Sequence, residues 1–231
     1  MTQIRLIFEK QWLHAFLLAM LLGGAVLISG FEASHRGELW GVSTPVWFWA
    51  AVGVAITHQL YVWFCWRTQL HTSLLTRTFG DFGFPLYAIG FAIIGILRVV
   101  AVFLVAISNQ ETLPMDDTVL KVIAMIVLMP AIYLFYSVKR YFGFRRAFGI
   151  DHFDSSYRSM SFEQRGIFRF TRNGMYIYGF LLLWFPAFWW SSFAALGIAA
   201  FNHLYIWVHY YTTELPDIRR IYGDTRYDAG T

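Results

Sequence analysis

The chain has 231 residues, of which 58% are hydrophobic, 20% aromatic and 14% charged, with a formal net charge of +4. Soluble domains carry about 25% charged and roughly 45–50% apolar residues, so this composition excludes a small soluble enzyme and describes an integral membrane protein. At about 20 residues per crossing, the length leaves room for about five to seven helices and no second soluble domain.

Six apolar segments follow one another: Gln11–Gly30, Thr44–Trp66, Phe84–Ile107, Thr118–Tyr136, Met175–Trp190 and Ser192–Tyr211. The fold class expected is therefore all-α, a polytopic protein of about six transmembrane helices. The first run follows Arg5 and Lys10 and has the look of a signal peptide. It is long for one and no A-x-A site follows, so it reads as a retained span. The last two segments are separated only by the Trp189–Ser192 stretch, which makes them a helical hairpin. The fifth is short and carries Pro186 near its end, so it is expected to stop before the far surface. This divides one domain into four helices (1–136), a connection (137–173) and a hairpin with its tail (174–231).

Loop charges alternate. The first loop is net −1, the second +1, the third −3 and the 137–173 connection +5. By the positive-inside rule both termini and the connection are expected in the cytoplasm. Short loops and the absence of a transit peptide favour a bacterial cytoplasmic membrane. The connection interleaves Lys139, Arg140, Arg145 and Arg146 with Tyr141, Phe142, Phe144 and Phe148. Two readings stay open for it: an interfacial helix on anionic headgroups, or a lid over a site at that face.

One cysteine, Cys65, leaves no internal disulfide and no thiolate cluster. No metal site is expected, and no basic finger or helix motif points to nucleic acid. Polar residues within spans are costly and mark candidate sites. They are His58, Gln59, Arg98, Asn202, His203 and His209. Arg98, near the middle of its span, calls for a polar cavity or an acidic partner. His58 and His203 are chemically competent to hold a haem between helices, though no spacing requires it.

The C-terminal third concentrates the chemistry. Gly166-Ile167-Phe168-Arg169-Phe170-Thr171-Arg172-Asn173-Gly174-Met175-Tyr176 leads into the hairpin, and Glu214-Leu215-Pro216, Tyr222-Gly223 and Tyr227 follow it. Arg169 and Arg172 at a helix start suit a carboxylate or phosphate. Glu214 with Tyr210, Tyr211 and Tyr222 suits a cation. A ligand carrying both charges is the expected occupant.

In these residues the chain resembles the isoprenylcysteine carboxyl methyltransferase and phospholipid N-methyltransferase superfamily. Its members read G-x-Y-R-x-x-R-H-P-x-Y, then a hairpin, then E-E-x-x-L and F-G-x-x-Y. Gly166, Phe168, Arg169, Arg172 and Tyr176 keep the first register, Glu214 one glutamate of the second, and Tyr222-Gly223 with Tyr227 the third. Asn173-Gly174 replaces the His-Pro, Thr213 the first glutamate, and Tyr178 a glycine. The resemblance implies an S-adenosylmethionine-dependent methyltransferase acting on a lipid-like or small amphiphilic acceptor drawn from the membrane. It implies cofactor binding by Arg169, Arg172, Asn173, Gly174, Tyr176, Glu214 and Tyr222. Glu214 is then the catalytic candidate, with His203 a candidate proton acceptor. Two alternatives are a non-catalytic subunit of a membrane-protein complex and a sterol-reductase-like NADPH enzyme.

Overall fold

The computed structural model describes residues 3–223. Tyr227 lies outside the described residues. The bundle is built from α1 (Gln11–Ser29), α2 (Thr44–Thr72), α3 (Gly83–Ser108) and α4 (Asp117–Ser137). The hairpin and tail add α5 (Gly174–Ile177), α6 (Trp184–Trp189), α7 (Phe193–His209) and α8 (Leu215–Tyr222).

By length and composition, four helical stretches suffice to cross a membrane: Gln3–Ser29, Thr44–Thr72, Leu74–Ser108 and Asp117–Phe142. The hairpin arms are shorter. The first breaks into α5, a 3-10 segment at Gly179–Leu183, and α6. A Cβ on Gly179 would stand 2.8 Å from Leu134 Cδ2, so this arm lies close against α4 at the break. The second arm, α7, has 17 residues and runs without interruption through a π-turn at Tyr210–Glu214 into α8.

Burial is that of a bilayer protein. Ile89, Ile93 and Ile96 on α3, and Val122, Ile126 and Met129 on α4, are exposed. Small side chains fill the seams instead: Ala51, Ala55, Ala106, Ala194, Ala195 and Ala199 are all essentially inaccessible. Between helices in lipid the attraction comes from close backbone approach, which small residues permit. On α4 the buried Leu120, Ala124, Ala131 and Leu134 form one stripe, which packs on α6 and the 3-10 segment. At the centre, α7 packs on α1, α2, α3 and α6.

The end opposite the tail is closed by Asn109. Its Nδ2 donates to Ala33 O and Arg36 O at 2.7 and 2.8 Å, and its Oδ1 accepts from Ser192 Oγ and Ala194 N. A two-residue hairpin pairs Glu38–Leu39 with Val42–Ser43 there. Its turn residues Trp40 and Gly41 both have positive φ, 56° and 75°, the backbone that suits a tight two-residue turn.

The 137–173 connection is not one interfacial helix. A π-turn at Val138–Phe142 is followed by short turns at Phe144–Ala147, Ile150–His152, Ser155–Ser159 and Gly166–Arg169. Gly143 and Gly149 carry φ of 88° and 78°, which end any regular helix and fold the segment back on the bundle.

Candidate functional site

At the tail end of the bundle, α2, the connection, α5 and the α7–α8 junction converge around two adjoining cavities. The outer one, about 110 Å³, is lined by Arg146, Asp151, Arg172, Asn173 and Glu214 among aromatic rings that include Phe142, Phe162, Tyr210 and Tyr222. The inner one, about 160 Å³, reaches into the bundle between His58, Gln59, Phe91, Arg98, Phe180 and His209. Trp66, Ala147, Met175, Tyr176 and Glu214 line both, so they form the common wall.

Glu214 occupies that wall because of how the chain is wound before it. Pro216 has no N–H to offer the Thr212 carbonyl, so the helical ladder lacks a donor there. Arg67 supplies one: its NH2 lies 3.3 Å from Thr212 O and 3.1 Å from Thr213 O. The same guanidinium pairs through Nε with Asp217 at 2.9 Å and through NH1 with Leu6 O at 2.6 Å. Arg67 and Asp217 are both fully buried. The π-turn, the N-terminal segment and α8 are thus tied to α2 by one side chain.

The Tyr176 hydroxyl donates to Glu214 Oε2. Burial pushes the Glu214 carboxyl up to about 7, against the opposing pull of Tyr176 and His152; Asp151 and Asp217 add to the rise. Behind it stands a second charged group. His152 stacks on Trp66 with ring centroids 4.3 Å apart and lies between Asp151 at 3.1 Å and Asp217 at 3.6 Å. Burial alone would lower its pKa, but the two carboxylates outweigh this and raise it to about 9. Asp151, half-buried, is held below the usual carboxylate value, against the rise that burial causes, by His152 and by the Tyr222 hydroxyl, which donates to it at 2.9 Å.

The residues singled out in the sequence divide. Arg172, Asn173, Tyr176, Tyr222 and Glu214 line the outer cavity together. The Asn173 backbone carbonyl takes the Tyr176 and Ile177 N–H groups, and its side chain makes no hydrogen bond among the described residues. Gly174 is buried against Ile167 and Phe168 behind the cavity. Arg169 is exposed, with its guanidinium over the Phe170 ring, and lines neither cavity. His203 also lines neither, since its Nδ1 accepts the Trp184 indole N–H at 3.0 Å. Among the described residues Arg98 meets no carboxylate; it finds a polar cavity, with Asn202 and His58 as neighbours.

Thr213 explains one departure from the superfamily pattern. It is fully buried, with its Oγ1 toward Gln11 Nε2 at 3.4 Å, and lines neither cavity. Trp66, Arg146, Asp151 and His152 were not singled out as site residues. Asp151-His152, a carboxylate beside an imidazole in an otherwise basic segment, was the available signal.

With this geometry in place, comparison with known families is decisive for the second half of the chain. The model of the phospholipid methyltransferase family, PEMT, matches residues 119–225. These residues form a phospholipid methyltransferase domain. The match spans α4, the connection, the hairpin and α8, and so includes Arg172, Asn173, Tyr176 and Glu214. The match covers a little under half of the chain, and for the part that it covers it supports a membrane methyltransferase family. No curated protein and no solved structure matches.

Proposed function

We propose that the protein is a membrane-embedded, S-adenosylmethionine-dependent methyltransferase acting on a lipid-like or small amphiphilic acceptor. The observation that carries this reading is the Tyr176–Glu214 wall, with a charged, aromatic chamber on one side and a chamber within the bundle on the other. Positive-inside charge supports placing the outer chamber in the cytoplasm. The short loops favour a bacterial membrane.

The donor set fits the cofactor. A zwitterion with a sulfonium and a nucleobase calls for a carboxylate, guanidinium groups and ring faces, and the outer cavity supplies Glu214, Arg146 with Arg172, and Phe142, Phe162 and Tyr222. Its 110 Å³ holds about eight waters, less than such a ligand fills. The connection over the cavity therefore yields on binding. S-adenosylmethionine, when bound, supplies an electrophilic methyl group on sulfur.

The protein's own groups bind, orient and shield. Glu214 offsets the ligand's positive charge, and Tyr176 fixes the carboxylate by its hydroxyl. Arg172 and Asn173 hold the polar end through donors that stand in the cavity wall. The rings of Trp66, Tyr176 and Tyr210 exclude water from the common wall, where aligned approach of an acceptor supplies much of the rate. His203 has no part in this arrangement, because Trp184 engages it away from both cavities.

Calorimetry on the detergent-purified protein tests the reading. S-adenosylmethionine should bind the wild type, and Glu214→Gln should weaken it at least tenfold with the thermal unfolding midpoint retained. Unchanged affinity in the variant removes Glu214 from the site. No binding to folded protein, followed by no transfer of labelled methyl to extracted membrane lipids, removes the methyltransferase reading.

A further inference from the structure

The inner chamber has a chemical character of its own. His58, Gln59, Phe91 and Arg98 come from α2 and α3, which precede the phospholipid methyltransferase domain. Arg98 is 5% exposed in the middle of the bundle. Its Nε donates to Asn202 Oδ1, its NH2 lies 3.4 Å from Asn202 O, and its NH1 lies 3.5 Å from His58 Nδ1. The Phe180 ring sits 4.9 Å from the guanidinium carbon. Among the described residues no carboxylate lies within ion-pair distance of it. Asparagine and histidine accept its hydrogen bonds and phenylalanine offers a ring face, but none of them neutralises its charge.

The tautomer of His58 follows from this contact. A guanidinium has only donors, so the Nδ1 facing it presents its lone pair and the proton resides on Nε2. That Nε2–H is buried and has no hydrogen-bond partner among the described residues. Both ring nitrogens of His209, which lines the same chamber and is 2% exposed, also lack partners. A permanent positive charge and an orphaned donor thus face 160 Å³ of space, room for about ten waters. Glu214, the carboxyl that this chamber shares with the outer one, makes no ion pair with Arg98 among the described residues, and a neutral apolar group leaves both features uncompensated.

We propose that the inner chamber is an anion subsite, in which Arg98 and the His58 Nε2–H hold a carboxylate or phosphate oxygen carried on an apolar chain. Phe91, Phe180 and Ile206 line the remainder and suit that chain. Naming this ligand the methyl acceptor rests on the methyltransferase reading; the subsite itself does not. Arg98 is then a positioning residue, holding the anionic group within the bundle while the reacting atom stands at the Tyr176–Glu214 wall.

The test uses full-length protein in phosphatidylcholine nanodiscs without cofactor, so its outcome is independent of any methyl transfer. Hexyl phosphate, hexanoate and hexanol are titrated by calorimetry. At least one anion should bind tenfold or more tightly than hexanol, and the tighter of the two identifies phosphate or carboxylate as the group held. Arg98→Gln should remove that preference and leave hexanol unchanged. Where Arg98→Gln does not fold, His58→Phe keeps the ring against Phe91 and should weaken the anion at least threefold with hexanol again unchanged. Equal binding of all three probes by the wild type overturns the proposal, as does an anion preference that survives in the folded variant.

Discussion

A carboxyl that titrates near neutrality makes binding of a cation depend on pH. Glu214 has been raised to about 7, so at pH 6 only about a tenth of it is ionised. A sulfonium ligand favours the ionised form. Affinity for S-adenosylmethionine should therefore fall about tenfold from pH 8 to pH 6, and Glu214→Gln should flatten the profile. His152 gives a different signature, in stability. Its pKa rises from the ordinary 6.5 to about 9 in the fold, so its stabilisation is complete below pH 6.5 and disappears as pH climbs to 9. The linkage is on the order of 3 kcal/mol. Thermal unfolding of the wild type should show that loss between pH 6.5 and 9, and His152→Gln should not. The two residues differ in how they could be found. Glu214, with Arg172, Asn173, Tyr176 and Tyr222, stands in a linear motif whose order survives in the sequence. His152 owes its charge first to its neighbour Asp151 and then to Asp217, sixty-five positions away, and no local pattern announces the second carboxylate.

Among the elements, the first four spans were legible because hydropathy reports them directly, whereas the hairpin arms, expected as a fifth and sixth span, are shorter, and the connection was not legible. Its turns are set by backbone that only glycine adopts readily, and its surroundings are long-range. Gly149 shows both: with φ 78°, a Cβ there would stand 2.5 Å from Trp66 Cε2. Gly149→Ala should cost about 1–2 kcal/mol for the left-handed backbone alone. It should also displace the indole that walls both cavities, which near-ultraviolet circular dichroism and weaker S-adenosylmethionine binding would report. An unchanged aromatic spectrum would remove Gly149 from the support of that wall. The π-turn at Tyr210–Glu214 is equally silent in sequence. Pro216 marks where the ladder fails, but the donor that repairs it comes from α2. Arg98 and His58 stood out as expensive polar residues in apolar runs; their meeting with Asn202 depended on how three helices pack.

For the molecule as a whole, Arg67 is the fastening between its first and last elements. Removing it leaves the Asp217 carboxylate buried without its closest guanidinium partner, which costs about 3–5 kcal/mol. Arg67→Met should lower the unfolding midpoint in nanodiscs accordingly, and adding Asp217→Leu should recover part of the loss. A midpoint unchanged by Arg67→Met would mean that packing and the Arg220–Glu9 pair suffice to hold the terminal elements. The same architecture binds the two halves of the chain together. The phospholipid methyltransferase domain contributes α7, which packs on α1, α2 and α3 as well as on α6, so residues 119–225 do not cover α7 by themselves.

The length of α2 bears on how the proposed methyltransferase would meet its acceptor. Its 29 residues extend about 44 Å, against roughly 30 Å of hydrocarbon. Under the proposed function, the surplus of about 14 Å would set Arg67, and with it the α7–α8 junction, at the level of the headgroups. A lipid acceptor reaches that level without leaving its leaflet. Encounter then depends on the acceptor's mole fraction in the bilayer, so diluting it with inert lipid at constant bulk concentration should slow turnover in proportion.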